Sequence, residues 1–206
     1  DVFFYLTTLN ENYKQPEMPE GSQEGIIKGI YKIDEKTAKN NHKIKLLGCG
    51  SILEQVRSAA EILANEFDIS SDIYSVTSFN ELTREAQDIE RWNMLHINEE
   101  QKVAYVDTVL GCDDENIVIC ATDYMKTYSE QVSLFVKGSF KALGTDGYGR
   151  SDSRANLRSF FEVDAEFIVF TTIAQLVQQN KLDKKVLLDV MKKYNIDAEK
   201  INPLKA

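Results

Sequence analysis

At 206 residues, with 43% hydrophobic and 28% charged residues, the chain has the length and composition of a folded domain and not of a disordered segment. The formal net charge of −9 argues against nucleic acid as the main partner, because phosphate binding needs a basic face. No apolar run approaches a membrane span and no signal peptide is visible, so we expect no membrane partner.

The first predicted elements are short. Residues 2–9 form a predicted strand rich in aromatic and β-branched side chains, and because the chain starts there without a methionine we expect a piece of a longer protein. A polar connector with two prolines, residues 10–25, is the predicted domain boundary. Residues 26–33 form a second predicted extended run, and residues 34–42 a loop rich in lysine and asparagine.

From residue 43 onward, short apolar strands alternate with longer amphipathic helices, which is typical of βαβ units on a parallel sheet. The predicted strands are 44–49, 73–77, 117–121 and 140–144. The first helix is predicted from an apolar stripe at helical spacing, formed by Ile52, Val56, Ala59, Ala60, Leu63 and Phe67. Further helices are predicted at 81–95, 124–136, 154–161, 165–179 and 183–194.

Two of these helices have predicted N-caps, Ser153 and Asp164. The helix after Asp164 is apolar over most of its length. We therefore expect it to lie between the sheet and a partner.

The charge is unevenly distributed along the chain. Residues 51–130 carry 17 acidic and 5 basic residues, whereas residues 131–206 carry 9 acidic and 12 basic ones. This imbalance predicts one strongly acidic side of the molecule. Such a side is either a solvated face or a docking surface for a basic partner.

The three cysteines, Cys49, Cys112 and Cys120, have no CxxC spacing, and only His42 and His96 accompany them. This set favours neither a disulfide framework nor a zinc site. Reduced cysteines are typical of the cytoplasm, which is the predicted location.

A glycine-rich turn, residues 48–53 (GCGSIL), follows a predicted strand and opens a helix. Backbone N–H groups placed in this way can hold a phosphate. However, Leu53 replaces the third glycine of the dinucleotide fingerprint, and no acidic residue stands at the end of the next strand. A tight turn with Ser51 as the N-cap is therefore favoured over a nucleotide site.

The loop 143–154 (LGTDGYGRSDSR) places three glycines and charges of both signs between a strand and a helix. Loops of this composition commonly carry function. The charges predict either an ion-pair lattice at an interface or an anion pocket built from the two arginines. A catalytic pair is disfavoured, because no histidine or thiol accompanies them. The candidate residues are Asp146, Tyr148, Arg150, Ser151, Asp152 and Arg154.

Three other places hold candidate residues. Asp123 ends a buried strand and either caps the helix predicted at 124 or orients a ligand. His96 is interpreted as a structural residue at a helix end, with a catalytic base as the alternative. In the connector, Glu11, Asn12 and Tyr13 are candidates for reaching a neighbouring subunit, although loop residues of this kind are more often solvated or capping.

Seven blocks occur in a fixed order along the chain: TLNENY (8–13), MPEG (18–21), GCGSIL (48–53), VTSF (76–79), ERWN (90–93), TDYM (122–125) and the loop 143–154. With these blocks the chain resembles the carboxyl-terminal part of the homodimeric bacterial pyruvate dehydrogenases. These enzymes are the thiamine-diphosphate-dependent first components of the pyruvate dehydrogenase complex. Cys49, where a small serine is expected, and the run 34–42 depart from the resemblance.

The resemblance implies an α/β fold, a three-layer α/β/α sandwich on a mainly parallel, mixed sheet like that of the transketolase carboxyl-terminal domain. Residues 1–25 would then be the last strand of the preceding domain and its linker, and residues 26–206 the domain itself. The parent would be an oxidoreductase that decarboxylates pyruvate with thiamine diphosphate and magnesium and passes the acetyl unit to lipoyl groups.

The Gly-Asp-Gly motif that binds the magnesium pyrophosphate of this cofactor is missing from the chain, so we expect no catalytic residue, cofactor or metal in it. The implied role is structural and dimerising. The implied partners are the preceding domains of the same polypeptide, the second subunit of a homodimer and the dihydrolipoyl acyltransferase component. The alternative is a free-standing α/β module that binds a nucleotide or another small molecule.

Overall fold

A five-stranded sheet organises the part of the chain that the computed structural model describes, which is residues 1, 3–6, 8, 12–39, 42–111 and 113–206. The strands are β1 (Ile30–Lys36), β2 (Lys43–Gly48), β3 (Ser70–Val76), β4 (Ile117–Ala121) and β5 (Ser139–Leu143). Their order in the sheet is β1-β3-β2-β4-β5. Strands β2 to β5 are parallel, and β1 runs antiparallel to β3 at one edge.

Helices cover both faces of the sheet. They are α1 (Gln23–Lys28), α2 (Leu53–Phe67), α3 (Phe79–Leu95), α4 (Tyr105–Leu110), α5 (Lys126–Glu130), α6 (Arg154–Phe161), α7 (Ala165–Gln178) and α8 (Lys184–Lys193). One apolar cluster joins the sheet to α2, α6, α7 and α8, and a second joins it to α3 and α4. The architecture is thus the predicted three-layer α/β/α sandwich on a mixed sheet.

Strand β4 shows why both faces are covered. Its five residues are all buried, and they alternate between the two clusters, with Ile117 and Ile119 in the first and Val118 and Cys120 in the second. A strand with apolar side chains on both faces is stable only between two layers of helices. The continuous apolar runs in the sequence therefore marked the central strands correctly, to within three residues at every end.

The segment around residues 26–36 differs from its prediction. Residues 26–28 complete α1, which ends at Gly29 with a φ of 110°, so the extended run starts only at Ile30. The strand then continues to Lys36, inside the predicted loop, because its polar residues pair with β3 as far as Lys36↔Ser71. Pairing at a sheet edge outweighs the low strand propensity of these residues.

The single helix predicted over 124–136 is two shorter pieces, α5 and a 3₁₀ turn at Ser133–Phe135. The turn before α5 is fixed by tertiary contacts, since a Cβ on Gly144 would lie 2.6 Å from the carbonyl oxygen of Tyr124. Helix α4 is not predicted from the sequence, because its six residues are too few for a clear helical stripe.

Helix α7 begins where predicted, because the Asp164 carboxylate accepts a hydrogen bond from the N–H of Phe167 at 2.9 Å. Its buried residues, such as Ile168 and Ile173, contact the sheet, α2 and α8 of the same chain. The buried part of its apolar surface therefore belongs to the domain's own core, and the expected contact of this helix with a partner stays a prediction.

The predicted first strand, residues 2–9, is only partly described. Val2, Thr7 and Leu9 lie outside the described residues, and residues 3–6 and 8 have no strand structure. The four side chains of residues 3–6 are between 81% and 91% exposed. Their assignment to a preceding domain stays a prediction. Within the described residues, no helix has both the length and the apolarity to cross a membrane.

Candidate functional site

The carboxyl ends of β2 and β4 lie side by side in the middle of the sheet. From β2 the chain passes to β3 on one side, whereas β4 pairs with β2 on the other side. This reversal of strand order opens a crevice, and open α/β sheets bind ligands at such a point. The turns that follow β2, β4 and β5 therefore form the candidate site.

The turn after β2 is tight. A Cβ on Gly48 would lie 2.7 Å from Cα of Leu53, so glycine allows the helix to approach the strand. The predicted N-cap role of Ser51 is wrong, because Ser51 lies inside a 3₁₀ turn, Gly50–Ile52, and α2 has no side-chain cap. Instead, the Ser51 hydroxyl donates to Oδ2 of Asp123 at 3.4 Å.

Asp123 does not cap α5 either, since that helix begins at Lys126. The side chain that binds the first N–H of α5 is that of Asp146, whose Oδ1 accepts a hydrogen bond from the N–H of Lys126 at 2.9 Å. The N–H of Thr145 also donates to the carbonyl oxygen of Tyr124 at 2.8 Å. These contacts attach the loop after β5 to the turn after β4 and leave the exposed Asp123 carboxylate facing the crevice.

The cysteine in the first turn is not a nucleophile. Burial, with a smaller contribution from the charge of Asp123, raises the pKa of Cys49 to about 11. A thiol with this pKa stays protonated at neutral pH, and the thiolate is the reactive form. Cys49 is therefore a packing residue, and Cys112 lies outside the described residues.

The charged loop after β5 is internally ordered. Asp152 accepts hydrogen bonds from the N–H of Ser153 at 2.6 Å and from Nδ2 of Asn156 at 2.8 Å, and the latter contact lowers the pKa of its carboxyl group. Ser153 caps α6 as predicted, accepting from the N–H of Asn156. Tyr148 and Ser151 are exposed beside them.

Three arginines meet at this loop, and we call the cavity between them the arginine cleft. Its volume is about 230 Å³. The guanidinium of Arg150 lies 4.3 Å from the ring centroid of Phe160, and that of Arg154 lies 5.9 Å from the ring of Tyr13. The lining residues are Ser51, Ile52, Asp123, Thr145, Gly149, Arg150, Arg154, Leu157, Arg158, Phe161 and Val163.

Of these three arginines, the loop composition predicts Arg150 and Arg154 but not Arg158. The signal was available, because residues four apart on a helix share a face, and α6 contains both Arg154 and Arg158. The structure thus brings Arg150 and Arg154 together with Arg158. Asp146 and Asp152 instead accept hydrogen bonds from backbone N–H groups.

The connector contributes to the same place. Tyr13 is half-buried and accepts a hydrogen bond from Nη2 of Arg158 at 3.3 Å. Asn12 is exposed, and Glu11 lies outside the described residues. The contact of Tyr13 is thus with its own chain, and a reach to a neighbouring subunit stays a prediction.

His96 has the surroundings of a structural residue. Its ring stacks on Trp92 with 4.3 Å between the ring centroids, and Nδ1 lies 2.8 Å from the carbonyl oxygen of Trp92 at the end of α3. Among the described residues, no group of three histidine, cysteine, aspartate or glutamate side chains could hold a metal ion.

Residues 29–164 match the family profile of the transketolase-like carboxyl-terminal domain, and the chain belongs to this family. It is 52% identical over 204 residues to the pyruvate dehydrogenase E1 component of Escherichia coli K12. It is 48% identical over 205 residues to that of Pseudomonas aeruginosa. These matches cover 98% and 99% of this chain but only 22% and 23% of the relatives.

Solved transketolases share the fold. The Leishmania mexicana enzyme has a TM-score of 0.50 and 17% sequence identity, over 75% of this chain and 19% of its own. A Pichia stipitis transketolase variant has a TM-score of 0.50 and 14% identity, over 89% of this chain and 21% of its own. The predicted family resemblance and fold class are thereby confirmed.

Proposed function

We propose that the chain is the carboxyl-terminal structural and dimerisation domain of a pyruvate dehydrogenase E1 component. The observation that carries this proposal is the 52% identity to one such component over 98% of the chain. The whole enzyme would decarboxylate pyruvate with thiamine diphosphate and magnesium and transfer the acetyl unit to lipoyl groups of the acyltransferase component. It would work in the cytoplasm.

Exposed apolar side chains support an interface role. At the carboxyl edge of the sheet, Tyr124 and Met125 are exposed, and Tyr148 is 87% exposed. Tyrosine and methionine are enriched in the cores of protein interfaces. This edge and the exposed residues 3–6 are the surfaces that we assign to the preceding domains and to the second subunit.

The state of the thiols is consistent with a non-catalytic role. Burial raises the pKa of Cys120 as well as that of Cys49, so neither thiol is activated.

A nucleotide site at the glycine turn is less well supported. A Cβ on Gly50 would lie 3.6 Å from Oδ1 of Asp123, so a carboxylate lies beside the turn to which a phosphate would bind. Two negative charges at that distance repel each other.

A chimera tests the proposal. The matching segment of the E. coli enzyme is replaced by this chain, and pyruvate-dependent NADH formation is measured with the acyltransferase and dihydrolipoamide dehydrogenase components added. We expect a dimer by light scattering, with activity within about tenfold of the parent's. A chimera that is folded but monomeric or inactive would contradict the proposal.

The control is the same enzyme truncated before the segment. We expect it to lose the dimer, because obligate interfaces commonly bury more than about 2,000 Å² and the segment would supply part of that area. If the truncated enzyme kept its dimer and its activity, the dimerisation role would be wrong.

A further inference from the structure

We propose that the arginine cleft binds a small phosphorylated metabolite that carries a free hydroxyl group. The cleft lies at the carboxyl edge of the sheet, beside the exposed Tyr124, Met125 and Tyr148 that we assign to an interface. The inference adds a ligand at this edge and does not rest on the proposed function.

The first argument is the positive charge. Arg154 and Arg158 lie one turn apart on α6, and Arg150 reaches the cleft from the preceding loop. Guanidinium groups present several N–H donors in a plane and bind phosphate oxygens in pairs. The guanidinium of Arg150 also contacts the ring of Phe160, which leaves its charge unneutralised.

The second argument is the opposite wall, formed by the turns at the ends of β2 and β4. It supplies the hydroxyl of Ser51 and the carboxylate of Asp123, which lie 3.4 Å apart, and Thr145 adds a second hydroxyl from the loop after β5. A carboxylate repels a bare anion but accepts a hydrogen bond from a ligand hydroxyl. The cleft therefore favours a molecule with a phosphate at one end and a hydroxyl at the other.

The third argument is the floor and the size of the cleft. Ile52, Phe161 and Val163 are buried residues that line it, and apolar surroundings strengthen the charge interactions above them. Drug-sized ligands occupy pockets of roughly 300–1,000 Å³. A volume of about 230 Å³ is below that range and suits a smaller molecule, on the scale of a phosphorylated three- or four-carbon polyol.

Tyr13 adds a consequence for the connector. Arg158 donates to the Tyr13 hydroxyl at 3.3 Å, and a bound phosphate would compete for the same guanidinium. Occupancy of the cleft would therefore loosen the connector from α6.

The test is an NMR titration of the 206-residue chain with glycerol 3-phosphate, inorganic phosphate and glycerol. We expect glycerol 3-phosphate to cause saturable shifts at the amides of Ser51, Thr145 and Arg150, inorganic phosphate to bind more weakly, and glycerol to cause none. Failure of glycerol 3-phosphate to cause saturable shifts at these amides would overturn the proposal. Equal affinity for glycerol 3-phosphate and inorganic phosphate would overturn the recognition of a hydroxyl.

Matched variants locate the site. Arg150→Gln should weaken binding of glycerol 3-phosphate by about tenfold or more, because it removes a charge-assisted contact at an exposed position. Lys184→Gln, which removes an exposed charge on α8, should leave affinity unchanged. Asp123→Asn should reduce the preference of the cleft for glycerol 3-phosphate over inorganic phosphate. Equal losses of affinity for glycerol 3-phosphate in the Arg150 and Lys184 variants would mean that the phosphate is attracted non-specifically by positive charge. This result would overturn the proposed site.

Discussion

Tyr13 and Arg158 are separated by 145 positions in the sequence, yet Nη2 of Arg158 donates a hydrogen bond to the Tyr13 hydroxyl at 3.3 Å. The polar connector is thereby attached to α6, at the same place where the loop after β5 ends. This link joins one polar segment to one helix, so its removal should have local effects.

We expect Tyr13→Ala to release the connector and to speed trypsin cleavage after Lys14 several-fold, because cleavage requires local detachment of the chain. Tyr13→Phe keeps the ring near Arg154 and should have a smaller effect. Tyr148→Ala, at a tyrosine that is 87% exposed, serves as the control. The rate follows from peptide mapping by mass spectrometry, and an unchanged rate in Tyr13→Ala would show that the connector is not held here.

Two glycines of the loop after β5 should respond differently to alanine. Gly147 has a φ of 87°, and a Cβ there would lie 2.7 Å from the carbonyl oxygen of Pro203. Gly147→Ala should therefore lower the free energy of unfolding by about 1–3 kcal/mol. Gly149 has nothing within 4 Å of the same position, so Gly149→Ala should change it by less than about 0.5 kcal/mol. Urea denaturation of both variants measures their free energies of unfolding. Equal losses in the two variants would contradict the prediction.

Asp72 should make stability depend on pH. Its side chain is 11% exposed and pairs with Nζ of Lys32 at 2.5 Å and of Lys43 at 2.9 Å. Burial alone would raise the pKa of Asp72, but the bonds to Lys32 and Lys43 outweigh it and lower the pKa. A carboxyl group with a lowered pKa stabilises the fold above its unfolded pKa, and this contribution is lost as the pH falls through the folded value.

We accordingly expect Asp72→Asn to unfold more easily at pH 7 by about 1–2 kcal/mol. The difference from the wild type should shrink below about pH 4, where the wild-type carboxyl also becomes protonated. Glu35→Gln removes the exposed partner of the same Lys32 and should cost less than about 0.5 kcal/mol. If the difference in unfolding free energy between the wild type and Asp72→Asn stayed constant from pH 7 to pH 3, the charge of Asp72 would not be its cause.

The position of α7 inside the core also has a measurable consequence. Ile168 is 0% exposed, and Ile168→Ala should lower the free energy of unfolding by about 2–5 kcal/mol through lost burial and a cavity. Leu188 on α8 is 63% exposed, and Leu188→Ala should cost less than about 0.5 kcal/mol. Similar losses for both would mean that α7 is not packed as described.

The strands were predictable wherever both faces of a strand are buried. In β4 all five residues are apolar, so the apolar run alone predicts the strand. Strand β1 was not predictable in the same way, because its half-buried and exposed residues, such as Asp34 and Glu35, are held by pairing with β3. A distant partner of this kind leaves no periodic signal near the strand itself.

The residues of the candidate site also differ in how well the sequence predicts their roles. Ser153 and Asp164 cap the helices that directly follow them, so local rules found them. For α5, however, the N–H of Lys126 is bonded by Asp146 from another loop, which leaves Asp123 for the crevice. Caps supplied from a distance depend on the fold and cannot be derived from neighbouring residues.

The sheet also determines when the cleft comes into existence. Among the described strands, neighbours in the sheet are never joined by a hairpin, and the ladder between β2 and β4 joins the most distant positions, as in Lys45↔Val118. Closing a longer loop costs more entropy, and sheets of non-local pairs fold slowly. The arginine cleft lies at the end of this ladder, so we expect it to appear late in folding, once the two halves of the sheet have joined.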